Sequence, residues 1–306
     1  MFRRTLGILL PVLLLAHAAA AGTDWRVTRT DHFIIYYASG SDAVAAKTRI
    51  SAEKWYSDLS GKLGFSPGGV TPVYLYPDRV SFAQAAGVRP ADTVVGLAQA
   101  SLIRVDASGV FADVESVLAH EMVHVFIARR LYGNTTHLPL WVNEGLAQYL
   151  AGEWSEADQE LLVEAVSDGA ILPLSSITMS FPTDKRGRGI AYAESYSIVQ
   201  YIADKYTPQS LRDLLTETKQ GRRFEVACLY SLGTKPDALE TEWRDFLWQK
   251  YGMQRWFKLG AAIIWAAMAL FAILAFRSRI AQKRRKAQQF EEERKSPWRD
   301  ADMGDQ

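Results

Sequence analysis

The sequence predicts an α+β fold: a small mixed β-sheet with helices, then a mostly helical subdomain, then one C-terminal transmembrane helix. Three observations carry this reading. Short runs rich in β-branched and aromatic residues, bounded by glycine and proline, are confined to the chain up to Val105. From Val114 onward, apolar residues recur instead at three- and four-residue spacing. Near the C-terminus, Leu259–Phe276 holds eighteen residues without a charge.

The whole chain sets outer limits. Its 306 residues give room for one sizeable domain or two small ones, and 48% apolar content is ordinary for a globular protein with some membrane-facing sequence. A formal net charge of +1 lacks the electrostatic footprint of a nucleic-acid binder. Cys228 is the one cysteine, which excludes an internal disulfide and a four-cysteine metal site and reads as a small buried apolar residue.

Residues 1–21 have the pattern of a secretory signal: Arg3 and Arg4, the apolar run Leu6–Ala16, then small residues from Ala18 to Ala21 for cleavage after Ala20 or Ala21. Residues 22–252 form the mature domain. His32–Tyr37 is a strand ended by Ser39-Gly40, and His32 at its start reads as a surface histidine. Ala43–Leu63 is a helix, with Val44, Ile50, Trp55 and Leu59 among its apolar positions. Val73–Tyr76 is a second strand between prolines, and Ser81–Ala86 a short helix. Thr93–Val105 holds one or two further strands.

The next helix carries the chemistry. Val114, Val117, Leu118, Val125 and Phe126 set its apolar face, Asp113 or Ser116 caps its start, and Arg129 and Arg130 suit the negative end of its dipole. His120 and His124, four residues apart, project from one side and can converge on one ion. Glu121, beside the first histidine, can reach a water on that ion without being a ligand. A catalytic zinc wants three protein ligands and an open position. Glu144, in Trp141–Ala147 on a second apolar helix opened by Pro139, supplies the third, with nineteen residues between it and His124.

At these residues the sequence resembles the gluzincin metallopeptidases, the group that includes thermolysin and the aminopeptidase N family. The Asn143-Glu144-Gly145-Leu146-Ala147 wording is closest to the aminopeptidase N side, and the compact architecture to the small peptidase MA-like families. The resemblance implies a zincin-like fold and one Zn²⁺ per chain held by His120, His124 and Glu144. It also implies a peptide or protein substrate, with Glu121 as general base. An edge strand before the metal helix would pair with extended substrate. Gln99 stands where the aminopeptidase N family has an acid for the substrate's amino terminus, and a neutral amide does not select an ammonium. Gln148 stands where thermolysin and its kin place an acid that orients one histidine.

Tyr132–His137 is a turn containing the sequon at Asn134, and His137 reads as a loop residue rather than a fourth ligand. Ser155–Val166 is an acidic, solvated helix. Thr183–Gly189 is a basic, glycine-rich loop, either a mobile surface connection or a lid over the cleft. Ile190–Ile202 opens another helix, where Tyr192-Ala-Glu-Ser resembles the Tyr-Glu-Lys-Gly segment of the aminopeptidase N family. By that resemblance Tyr192 donates to the developing oxyanion; the alternative is aromatic core packing, and Tyr196 shares its face. Ser210–Thr218 and Ala238–Tyr251 are two more helices.

Residues 256–276 read as a single-pass membrane span, and 277–306 as a basic, then mixed-charge tail, disordered from Phe290. Arg277–Lys286 holds six lysines and arginines and no acid, which places that end in the cytoplasm, within reach of anionic lipid. The functional expectation is a membrane-anchored, extracytoplasmic zinc peptidase, on the periplasmic side in a bacterium. The alternative is a catalytically silent zincin-fold scaffold, to which Gln99 and Gln148 lend credit. Against that stands Glu121, since a module without chemistry has no need of a general base. Metal storage fits poorly with five histidines and one cysteine.

Overall fold

The computed structural model describes residues 24–92, 94–99, 101–110, 112–252 and 254–295; at 254–259, 261 and 262 it describes the backbone only. Residues 1–21, expected to be a signal, lie outside the described residues, as does the tail beyond residue 295.

Alternation in two apolar runs builds the centre of the sheet. Strands β2 (Phe33–Ala38) and β3 (Thr71–Tyr76) pair in parallel, with Ile35 opposite Val73. β5 (Leu102–Asp106) continues the parallel ladder, Val73 opposite Ile103 and Leu75 opposite Val105. The edges are antiparallel: β1 (Trp25–Arg29) on β2, and β4 (Gly96–Gln99) on β5, giving the order β1-β2-β3-β5-β4. Ile35, Val73, Leu75, Ile103 and Val105 are completely buried. They lie beneath helix α1 (Asp42–Leu63), which packs on β2, and α3 (Val114–Leu131), which packs on β4 and β5. Tyr36 stacks on Tyr74 of the neighbouring strand, and Trp25 meets Tyr74 edge-on.

Strand β4 is an edge, and its approach is fixed from behind. Arg79, at the start of α2 (Arg79–Ala86), donates to the backbone oxygens of Pro90, Asp92 and Val94 and pairs with Asp106. One charged side chain thereby satisfies a loop that no ladder could.

The second half is helical, as expected: α4 (Leu140–Ala151), α5 (Glu156–Asp168), α6 (Lys185–Lys205), α7 (Pro208–Lys219), α8 (Phe224–Leu232) and α9 (Pro236–Tyr251). Two readings need correction. Thr183–Gly189 is not a loop: α6 starts at Lys185 because Asp184 caps it, its Oδ1 accepting from Gly187 N at 2.7 Å. Between α7 and the last helix of this part lies α8, for which no helix was expected; it buries Cys228 completely. β1 was also not anticipated.

The chain divides into two units after Leu247. In the second, α10 (Gln254–Arg294) runs for 41 residues and is long and apolar enough to cross a membrane. It continues through the basic stretch to Arg294, so Phe290–Arg294 is helical where disorder was expected.

Candidate active site

Helix α3 is capped by Asp113, whose Oδ2 accepts from the backbone N–H groups of Glu115 and Ser116 at 3.1 and 3.3 Å. Of the two proposed caps, this one serves, and Ser116 is free for another task. Two turns on, His120 and His124 stand side by side, ring centroids 4.9 Å apart. Helix α4 crosses α3 and brings Glu144 to them: its Oε2 lies 3.5 Å from His120 Nε2 and 3.7 Å from His124 Nε2. One donor atom of each of the three residues lies within 4.8 Å of the others.

Gly145, next to Glu144, explains how α4 comes so close to α6. A Cβ there would stand 2.1 Å from the Ser195 backbone oxygen, so only glycine fits the crossing. That crossing also sets α6 so that Tyr192 lines the same cleft as Glu121, His124 and Glu144. Tyr192 packs edge-on against Phe181, centroids 4.9 Å apart. Tyr196 is not in the cleft lining; it stacks on Trp154 at 4.4 Å.

Glu121 faces the edge strand. A Cβ on Gly96 would meet its Oε1 at 2.5 Å, so β4 can pass over the carboxylate only as glycine. The cleft, of about 530 Å³, is walled by Gly96, Leu97 and Ala98 on one side and by Thr178 and Met179 on the other.

A residue that the sequence reading missed completes the site. His120 Nδ1 donates to Glu153 Oε2 at 2.7 Å, and Ser116 Oγ donates to Glu153 Oε1 at 3.0 Å. The acid that orients a histidine is therefore Glu153. Gln148, expected in that neighbourhood, is buried with Oε1 unpartnered among the described residues. The signal for Glu153 was faint: an acid directly after Gly152, whose left-handed backbone (φ 75°) ends α4 and turns the chain back.

Charge in this buried cluster is unevenly matched. Burial opposes protonation of His120, yet the Glu144 and Glu153 carboxylates on either side raise it to about 10. Burial pushes Glu121 up to about 7, and Glu144 and Glu153 add to it against the pull of His120 and the Ala98 backbone. Burial would raise Glu144, but His120 and His124 outweigh it and hold the carboxyl below its ordinary value. Burial holds His124 low, which keeps the ring neutral. Tyr192 is well above its ordinary value, chiefly through burial, with Glu144 and Glu121 adding to it.

His120, His124 and Glu144 could hold a metal ion, and their spacing is compatible with zinc. With bonds of about 2.0–2.1 Å in a tetrahedron, ligand atoms stand about 3.4 Å apart, close to the two histidine–glutamate separations. The other flagged polar residues lie elsewhere. His32 pairs with Glu53 at 2.7 Å and stacks on Tyr56. His137 lines a neighbouring groove, and exposed Gln99 accepts from Arg104 at 2.9 Å.

Residues 71–249 match the family model of the peptidase MA superfamily. Among solved structures, the M1 zinc metallopeptidase of Deinococcus radiodurans is similar at 19% identity and TM-score 0.47, over 72% of this chain and 51% of that one. A point mutant of the same enzyme bound to a Tyr-Ser-Ala substrate gives 18% identity and TM-score 0.45, over 73% of this chain and 51% of that one. The chain thus spans about half the length of these structures (51%). No curated protein sequence matches it.

Proposed function

The chain belongs to the peptidase MA superfamily, and from that premise we propose that it is a membrane-anchored zinc peptidase acting outside the cytoplasm. The observation that carries this reading is the convergence of His120, His124 and Glu144 on one point, with Glu121 buried beside the same cleft. His120, His124 and Glu144 are the proposed ligands of one zinc per chain, two imidazoles and one carboxylate, with the ion replacing the proton that His120 carries without it. A zinc ion held there would supply Lewis acidity toward the scissile carbonyl and would acidify water.

The chain's own groups do the rest. Glu121 takes the proton of the attacking water and delivers it to the leaving nitrogen; a carboxyl raised by burial toward neutrality suits both directions of transfer. Tyr192 stays protonated and donates to the oxyanion, a contact whose loss typically costs about 2.7–4 kcal/mol. Glu153 holds His120 through Nδ1, so that Nε2 faces the metal point. Strand β4 has no strand partner on its cleft side among the described residues, and a substrate strand can add main-chain hydrogen bonds there.

The proposed organisation is a leader over 1–21, the peptidase domain over 22–252, a span over 256–276 and a cytoplasmic tail over 277–306. The long apolar helix supports the span, and the basic run directly after it supports the orientation.

Glu121→Gln tests the chemistry. The variant keeps its zinc and loses nearly all hydrolysis of any peptide the parent cleaves; unchanged turnover at full zinc loading would remove the proposed mechanism.

A further inference from the structure

Beside the candidate site's cleft lies a second space of similar size. This groove, of about 560 Å³, shares four of the cleft's lining residues: Thr136, Leu138, Thr178 and Met179. Thr178 and Met179 form the common rim, with Met179 83% exposed. The groove's far wall is α8, where Val226 and Leu229, one turn apart, are 42% and 45% exposed. Its floor holds Trp141 edge-on against Phe224, centroids 5.4 Å apart. Charged side chains stand at its edge as well: Lys235 and Asp237, Arg223 at 3.9 Å from Glu225, and Glu240 paired with Arg244 at 2.8 Å. Between these charges the groove offers a ligand the exposed apolar side chains of Val226, Leu229 and Met179.

The first cleft carries a complementary message. Among its described lining residues, the carboxylates are Glu121 and Glu144, both assigned to the hydrolytic machinery. That leaves no anion at hand to fix a free amino terminus, and exposed Gln99 is turned to Arg104. Two adjoining spaces of ligand size, with the sheet's edge strand β4 along one, suit a chain better than a terminal residue.

We propose that the substrate is a polypeptide cut at an internal bond, its chain continuing over the Thr178–Met179 rim into the apolar groove of α8. This rests on the peptidase reading. An apolar side chain of the substrate, several residues from the scissile bond, packs on Val226 and Leu229, and main-chain pairing on β4 holds the bond itself.

The test uses zinc-loaded full-length protein in detergent and degenerate fluorogenic peptide libraries of about four and about twelve residues, spanning about 13 and about 40 Å when extended. Each library is made with acetylated and with free amino termini. The expected result is cleavage of acetylated peptides, with kcat/KM at least about tenfold higher for the long library, the size of one well-buried apolar contact. In Leu229→Asp and Val226→Asp that long-to-short ratio falls toward one, and the ratio does not depend on how much of a variant folds. Cleavage of free-amine peptides alone, or a length advantage that is absent or survives both substitutions, overturns the inference and leaves the peptidase reading standing. If Leu229→Asp changes the oligomeric mass and not the ratio, the groove is an interface between copies, and the inference is likewise wrong. No cleavage of any library by the loaded parent removes both.

Discussion

Glu153 acts at one remove from the proposed metal point. Bound by Ser116 and His120, it fixes the ring so that Nε2 points toward Glu144. Glu153→Gln keeps a hydrogen-bond acceptor but removes the charge that makes the imidazole a better donor to metal. Zinc affinity should fall about 10–100-fold, read by competition with a chromophoric chelator. Affinity equal to the parent would mean that Glu153 is only a structural contact. A second buried acid makes a prediction about pH. Glu194 is fully buried, with one oxygen accepting from Leu172 N at 2.8 Å, and burial raises its carboxyl to about 8. The folded chain then binds a proton that the unfolded chain releases near 4.5, so this group's contribution to stability is greatest at low pH and declines as pH rises to about 8. Melting temperature followed across that window should fall less in Glu194→Gln than in the parent; identical slopes would refute the assignment.

At the level of elements, the site depends on how closely α4 and α6 cross. Gly145→Ala would push a methyl group against the Ser195 backbone oxygen, which cannot move without its helix. The expected cost is at least about 1–3 kcal/mol of stability, seen as a lower melting temperature, together with weaker zinc binding as Glu144 shifts. A parent-like melting temperature would show that the crossing is looser than described. Helices α3 and α4 were legible in the sequence because their apolar spacing, Asp113 and Pro139 all agree. The missed elements lacked such agreement. β1 pairs on one side only and buries little, so it has no alternating apolar pattern. α8 has nine residues, too few for periodicity to speak, and its seat comes from Phe224 against Trp141 across the fold. At 183–189 two glycines signalled a loop, but the Asp184 cap and the close approach of Leu161 to Gly189 favour a helix. His120, Glu121, His124 and Glu144 were readable as a set because local helix geometry fixes the first three. Glu153 was not, because its place is set by a chain reversal rather than a period.

For the molecule as a whole, a sheet with an open edge and a helical half share one cleft, and both halves supply its walls. The second unit, with its 41-residue helix, is about 60 Å long by helical rise, twice the thickness of a hydrocarbon core. Its length allows a span and a basic extension in one element, which is why the expected tail is partly helical. All of the proposed chemistry rests on the three-ligand site, and metal content tests that most directly. Full-length parent and Glu144→Ala, loaded with zinc and dialysed, would be measured for zinc per chain by elemental analysis. The prediction is about one zinc in the parent and a small fraction of that in the variant. A folded parent that retains no zinc, or a variant that retains as much as the parent, would contradict it.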